Sequence, residues 1–329
     1  MIIGRLREEY LITRDGRVLP AHIGGPAAYA ACGAAIWIKN VSIISRIWPS
    51  VKPDWDQPLQ QLGIQTSGVR SIQDLAIDPV FLYQHPDGRI IDHHPAVHYL
   101  KLGANLPKAL IEYQSARAGE DDTEVLSPSV IQPADLAEKD IEGSWVHLTP
   151  GHYLSHALLP YRAHELGAAF VSLSPSPIYM NPTLREEVAS LVQGLDAFLP
   201  EEASLQTLFQ RDNFNIIEMA EALCDFGAKL IVINCKDGLK LLWDSASQRG
   251  WWIPSYPGEK TTSIGAGEAF SGGFLAGMLA SGDPIESVLR GAISESLTVE
   301  GYGPLYSSGA HPQLAKLRVE ALRGRISRV

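Results

Sequence analysis

Between residues 145 and 299, short apolar runs keep alternating with longer helix-like segments, and few folds tolerate that rhythm. The runs WVHL (145–148), AAFVSL (168–173), LDAFL (195–199) and KLIVI (229–233) read as strands. Helices are expected over 153–165, 182–192, 201–209 and 214–226. A strand that is apolar on consecutive residues is buried on both faces. These strands therefore predict a mainly parallel sheet with helices on each side. The N-terminal part adds strands at 1–6 and 41–47, a small-residue helix in AAYAACGAAIWI (27–38) and a short helix at 58–62. LKLLW (239–243) and WWI (251–253) read as a β-ribbon, followed by helices at 266–279, at 284–299 and at the C-terminal end. A chain of 329 residues accommodates one large α/β domain, with room for a small accessory lobe.

Two segments break the alternation. Residues 10–13 and 18–23 bracket Arg14-Asp15-Gly16-Arg17, and 80–83 and 89–92 bracket His85-Pro86-Asp87-Gly88. Asp-Gly between β-type runs signals a hairpin, so a small separate sheet is expected. The polar stretch 115–143, with Glu120-Asp121-Asp122, reads as surface loop and short helix. Ligands of parallel sheets bind beyond the carboxyl ends of the strands. Gly4, Gly24-Gly25, His147 to Pro150, Ser174, Pro200, Asn234 and Gly265 to Gly267 all fall at such ends and are expected to share one cleft.

The stretch TTSIGAGEAFSGGFLAGML (261–279) carries the clearest chemical signal. A Gly-rich turn opens directly into an apolar helix, where unpaired amide groups and the helix dipole favour an anion. Glu268 in the first turn is placed either as a base or as an ordinary N-terminal acid. A dinucleotide-binding reading fails, because Gly265-Ala266-Gly267 comes late and lacks the Gly-x-Gly-x-x-Gly spacing after the first strand. The formal charge of −10 argues against nucleic acid and anionic membrane as partners. The three scattered cysteines fit a reducing compartment, and no leader-like or membrane-length apolar run occurs, so cytoplasm is expected. Asp92-His93-His94 with His98 fits no closed zinc pattern, and no metal ligands are assigned to it. His147, His152 and His156 near a strand end are expected at the surface or as helix caps. Cys235 reads as a small buried residue.

These motifs together resemble the PfkB, or ribokinase-like, family of sugar and nucleoside kinases. IGAGEAFSGGFLAGML (264–279) resembles the family's second signature, usually D-T-x-G-A-G-D-A-F-x-x-G-F, and HIGGPAAYAACGAAIW (22–37) resembles its first. VINCKDGLKLLW (232–243) resembles the strand–turn–strand usually carrying L-G-x-x-G, and LDAFLPEEASLQTLF (195–209) the segment usually carrying N-x-x-E. The resemblance implies one ribokinase-like αβα sandwich over 1–329, with a small β-sheet lid formed by about 10–23 and 80–100. It implies transfer of the γ-phosphoryl group of ATP, with Mg²⁺, to a hydroxyl of a sugar, nucleoside or similar small molecule. Gly265, Ala266 and Gly267 would form the anion hole and Glu268 would be the base. Asn234, Lys236, Gly238 and Thr262 would lie along the nucleotide, and Glu9, Gly24, Gly25 and Tyr29 at the acceptor. Lid strands in the family pair across dimers, so a homodimer through the lid is a further expectation.

The sequence departs from the family pattern at polar positions. Glu268 stands where the catalytic Asp is usual, Thr262 where the signature opens with Asp, and Glu201 and Ser204 at the N-x-x-E pair. Glu201 or Glu202 is left to supply the carboxylate. Glu9 replaces the early sugar-binding Asp, Tyr29 an Asn, Trp48-Pro49-Ser50 a G-x-D, Ser174-Pro175-Ser176 a D-P-N, and Cys235 a Gly. Rings at Tyr29 and Trp48 would occupy space that a polyol needs, so a flatter, more apolar acceptor is expected. Two functions follow: a phosphotransferase, or a catalytically impaired pseudokinase that binds a ligand in a regulatory role.

Overall fold

The alternating segments build a ten-stranded main sheet, while the two hairpins build a separate sheet of four strands. The structure is a computed structural model and describes residues 1–51, 54–73, 75–115, 126 and 128–329. Glu120-Asp121-Asp122 lies outside the described residues.

The first half contains strands β1 (Ile2–Ile3), β2 (Arg7–Ile12), β3 (His22–Gly24), β4 (Ser42–Ile47), β5 (Gln65–Ser71), β6 (Pro79–Gln84) and β7 (Ile90–Ile91). Its helices are α1 (Pro26–Ala35), α2 (Gln57–Gln61), α3 (Pro95–Lys101) and α4 (Glu138–Ile141). The second half contains β8 (Trp145–Leu148), β9 (Phe170–Leu173), β10 (Ala197–Phe198), β11 (Leu230–Asn234), β12 (Leu239–Asp244), β13 (Arg249–Pro254) and β14 (Ser327–Arg328). Its helices are α5 (Tyr153–Glu165), α6 (Arg185–Val192), α7 (Glu202–Leu208), α8 (Ile216–Asp225), α9 (Ala266–Ser281), α10 (Pro284–Thr298) and α11 (Pro312–Arg323).

The main sheet has the order β14-β13-β12-β11-β10-β9-β8-β1-β4-β5. It is parallel from β11 to β5, and β12, β13 and β14 add on antiparallel. Successive strand residues point to opposite faces, so consecutive apolar residues feed two cores. Ile2 and Val232 join the core under α1, α9, α10 and α11, whereas Ile3, Ile231 and Ile233 join the one under α5, α6 and α8. The carboxyl ends of β1, β8, β9, β10 and β11 thus open on one edge.

The small sheet has the order β3-β2-β6-β7. Both Asp-Gly hairpins are present, and they join through a parallel β2–β6 pairing. Tyr10, Ile12, Phe81, Tyr99 and Leu110 form its own core. Tyr99 comes from α3, a helix the sequence reading left out. The sequence expectation for β5 goes no further than a return toward a sheet edge at Gly63-Ile64-Gln65, and the terminal β14 was not foreseen, because QTSGVRS and SR carry too little apolar character. The small sheet is tied to the main body where Gln84 Nε2 donates to the Thr261 carbonyl at 2.9 Å.

Helices α1 and α9 touch backbone to backbone. A Cβ on Gly272 would lie 1.8 Å from the Ala30 carbonyl oxygen, and one on Gly33 would lie 2.3 Å from the Ala269 carbonyl oxygen. Neither obstacle is a side chain that can swing away, so both helices would have to separate. Gly272→Ala is expected to cost about 2–3 kcal/mol in urea unfolding, as overpacking of tight interfaces does. Gly324→Ala, with open space around it, is expected to stay within about 0.5 kcal/mol of the parent.

Candidate functional site

The turn before α9 is held from below. Gly265 has φ +75°, and a Cβ there would lie 2.0 Å from the Tyr29 ring, so only glycine fits both the backbone and the contact. Thr262 is buried, and its Oγ1 accepts from the Ile264 amide at 3.1 Å, which shapes the approach to the turn. The start of α9, where the Ala266 amide donates to the Ser263 carbonyl at 3.3 Å, lines a cleft of about 670 Å³. Gly265, Ala266, Gly267, Glu268 and Thr262 all line it.

The Glu268 carboxyl lies on the floor of this cleft. Burial pushes its pKa up to about 7, and the nearby Glu201 and Glu9 carboxylates add to the rise; its own amide pulls the other way. Glu201 also faces the turn: its Oε1 would lie 3.8 Å from a Cβ on Gly267. Glu202 is committed elsewhere, accepting from the Lys236 amide at 2.9 Å. Of the two acids weighed from sequence, Glu201 is therefore the one at the anion site. Among the described residues, no group of three or more His, Cys, Asp or Glu side chains could hold a metal ion.

Asn234, Lys236 and Gly238 line the same cleft, from the loop between β11 and β12. Lys236 Nζ donates to Gln206 Oε1 at 2.7 Å, so its head group is held on α7 rather than over the turn. Cys235 is buried, as read from the sequence. Lys240, Lys260 and Glu295 are among the lining residues that escaped the sequence reading. Lys240 Nζ sits 2.8 Å from Glu295 Oε2. The available signals were a lysine inside the apolar strand LKLLW and a glutamate inside the largely buried helix α10.

The second glycine motif is bound to Glu9. Glu9 Oε1 accepts from the Gly25 amide at 2.8 Å, and Oε2 accepts from the Tyr29 hydroxyl at 3.0 Å. His22 Nε2 lies 3.2 Å from the same Oε2. Burial alone would lower the His22 pKa, but the Glu9 carboxylate outweighs it and holds the histidine above its ordinary value. Glu9, Gly25 and Tyr29 line the cleft, whereas Gly24 is covered by the Glu9 carboxylate, 2.3 Å from where its Cβ would be. Trp48 does not reach the site. It is 2% exposed and belongs to the core under α1, so of the two rings expected to fill the acceptor space only Tyr29 lines the cleft, in the part beside the α9 turn.

A second cleft of about 430 Å³ joins the first. Arg7, Pro26, Val80, Leu82, Ile90 and Glu268 border both, so Glu268 stands at the junction of two arms. The second arm continues between Arg5, Asp92, Pro150 and the residues Ser176, Pro177 and Ile178. Arg5 and Arg7 both bind Asp78 Oδ2, at 2.6 and 3.1 Å.

The histidines divide differently from expectation. His152 caps α5, accepting from the Leu154 amide at 3.2 Å, as a helix-start histidine should. His147 and His156 are not at the surface. His147 is fully buried between Ser172 Oγ (3.0 Å) and Ser174 Oγ (3.4 Å). Ser174 meets Ser271 Oγ at 2.8 Å, and Ser271 donates to the Gly267 carbonyl at 2.9 Å. Burial drives the His147 pKa down to about 3, so this network braces the first turn of α9 with a neutral imidazole. His98 packs against Phe81 and Tyr83 on the small sheet.

Comparison with known proteins agrees with this geometry. Residues 159–309 match the model of the pfkB family carbohydrate kinases. The chain is 25% identical over 293 residues to the cytidine kinase of Thermococcus kodakarensis, covering 88% of this chain and 91% of that protein. It superposes on aminoimidazole riboside kinase from Salmonella enterica, solved with aminoimidazole riboside and an ATP analog. The TM-score is 0.69 at 14% identity, covering 97% of this chain and 100% of the other. Arabidopsis thaliana ribokinase, solved with ribose and ATP, superposes with a TM-score of 0.67 at 15% identity, over 97% of each chain. The fold is ribokinase-like, with a mostly parallel central sheet, a small second sheet and helices on both sides. The second signature lies inside the segment that matches the pfkB family carbohydrate kinase model and forms the turn over Tyr29.

Proposed function

We propose that this protein transfers the γ-phosphoryl group of ATP to a hydroxyl of a sugar, nucleoside or related small molecule. The carrying observation is Glu268: a carboxyl with its pKa raised to about 7, at the junction of two arms and in the first turn of an anion-binding helix. A base poised near neutrality combines basicity with a substantial ionised fraction. In this reading the triphosphate occupies the arm lined by Asn234 to Gly238, and the acceptor occupies the arm lined by Pro150 and Ser176 to Ile178. Glu268 takes the proton of the attacking hydroxyl. The acceptor oxygen forms its bond to the γ-phosphorus as the bond to the β-phosphate oxygen breaks, and ADP leaves. The amides at Gly265 to Gly267 receive the charge carried by the transferred group.

The residues fit Mg²⁺ held mainly by phosphates, the usual mode for this ion, with Glu201 as the protein carboxylate at the turn. Bound there, it would neutralise phosphate charge. Val80, Leu82 and Ile90 of the small sheet roof the acceptor arm opposite Pro150, Pro177 and Ile178. We read the chain as one domain in which residues of about 10–23 and 80–100 form a lid that excludes water. The apolar walls suit an acceptor with a flat face, and the cytidine kinase relative supports a nucleoside.

One observation favours the second reading, ligand binding without turnover. The Glu9 carboxylate already accepts from Gly25 and Tyr29 and lies against His22, which leaves it little capacity for an acceptor hydroxyl. ADP release from ATP·Mg²⁺, measured across a panel of sugars and nucleosides, separates the two. Acceptor-dependent ADP supports transfer, and its absence across the panel together with a nucleotide-induced rise in Tm supports the binding reading.

Given an active acceptor, Glu268→Gln is expected to lower kcat by about 10²–10⁴-fold while ATP still raises Tm. Turnover near the parent rate would remove Glu268 from the base role. The ionised form is the active one, so kcat/KM should fall about tenfold per pH unit below about 7 and level off above it. Stability follows the opposite direction. The folded pKa of Glu268 lies above its ordinary 4.5, so its favourable contribution is full below that value and is lost as pH rises through about 7. Glu268→Gln should therefore raise Tm relative to the parent more at pH 8 than at pH 5, in parallel thermal melts.

A further inference from the structure

The arm that passes the α9 turn has a charged inner lining that the transfer chemistry leaves unused. Lys240 on β12 is 0% exposed and Glu295 on α10 is 8% exposed, yet both border the cleft. Lys240 Nζ lies 2.8 Å from Glu295 Oε2, also donates to Asn234 Oδ1, and sits 5.2 Å over the Phe270 ring. Lysine and glutamate are rarely buried this far, because each loses its hydration, and an apolar pair of equal volume is commonly as stable. Stability is therefore a weak reason for the pair. Its position on a cavity wall is a stronger one.

The hydrogen-bonding capacity left over defines what it can hold. An ammonium has three donors; Lys240 Nζ spends one on Asn234 Oδ1 and meets Glu295 as an ion pair, so donor capacity remains. The Glu295 carboxylate keeps its accepting capacity, because Oε2, although 2.8 Å from the ammonium, is buried with no hydrogen-bond partner. Val299, one helical turn from Glu295, adds an apolar neighbour on the same wall. The wall thus offers one acceptor, one donor and an apolar face.

We propose that Lys240 and Glu295 select the base of the bound nucleotide, an assignment that rests on reading this arm as the nucleotide site. Glu295 accepts from an exocyclic amino group, Lys240 donates to the ring nitrogen beside it, and Val299 packs on the ring. Adenine and cytosine share that edge, an amino group next to a ring acceptor. Hypoxanthine and uracil place a carbonyl oxygen there, against the carboxylate.

The test is calorimetric binding of ATP, ITP, CTP and UTP, each with Mg²⁺, to the full chain without acceptor. ATP is expected to bind at least about tenfold more tightly than ITP, and CTP than UTP, the scale of one satisfied polar contact. In the double variant Lys240→Met, Glu295→Leu, each ratio should fall to within about twofold, with thermal melts reporting whether the fold is kept. Glu295→Gln is the second variant. Its amide both donates and accepts, so it should lose discrimination while keeping the side chain's shape. Parent affinities within twofold across each pair would overturn base selection and leave the arm as a triphosphate site. Ratios that persist in both folded variants would overturn the assignment to this pair. Failure of all four nucleotides to bind would overturn the nucleotide reading of the arm along with it.

Discussion

The backbone contact between α1 and α9 sets the geometry on which the site depends. Gly33 meets Ala269, and Gly272 meets Ala30, with no side chain between the two helices. That proximity brings Tyr29, one turn into α1, directly beneath Gly265, the residue that begins α9. A wider helix pair would lower the ring away from the turn and free the turn to take other conformations. Preorganised amides are effective for charge stabilisation because they need no rearrangement when charge develops. Here the preorganisation comes from packing, through Tyr29, and from the His147–Ser174–Ser271 network that reaches the Gly267 carbonyl from the sheet side.

The same tyrosine couples the small sheet to this turn. Its hydroxyl donates to Glu9 on β2, and Glu9 also receives the Gly25 amide at the start of α1. One carboxylate thus ties the second sheet, the glycine pair and the ring under Gly265 into a unit. A longer side chain than aspartate reaches far enough to make all three contacts. The physical cost is capacity, since a carboxylate so engaged has few lone pairs left for a ligand. Under the proposed transfer reading, the acceptor would then rely on the apolar walls of the second arm and on Arg5, Arg7, Asp92 and Ser176.

The fold was legible because burial on both faces leaves an unmistakable pattern. KLIVI, AAFVSL and WVHL became β11, β9 and β8 in the centre of the sheet, and the two Asp-Gly turns became hairpins. The elements that escaped in whole or in part were those whose stability comes from neighbours rather than from their own composition: polar β5 on the sheet edge, two-residue β14, and α3 under the second sheet. The site was legible in its backbone and less so in its side chains. Glycines at 25 and 265 announce positive φ and close approach, and the structure places both at the cleft. Side-chain contacts between distant segments leave no periodic trace. Lys240 with Glu295, 55 positions apart, and Tyr29 under Gly265 are of that kind. Trp48 shows the converse: a motif position that points into the core when the strand's register is known.

The charge balance of the site accounts for the properties of Glu268. Glu9, Glu201 and Glu268 are among the acids that line the cleft with the amide end of a helix. Burial raises the Glu268 pKa most, and the other two carboxylates raise it further, so the group is a stronger base than an exposed glutamate. An incoming triphosphate adds negative charge and would push the same pKa higher still, toward the protonated form that cannot accept a proton. Positive charge would act against that drift: Lys260 lines the arm, and a phosphate-bound divalent ion would add to it. The base can remain ionised with nucleotide present only if the added positive charge offsets the added negative charge. Under the proposed transfer reading, Glu201 and the cation it would accompany would help set the working pH of Glu268 alongside its burial.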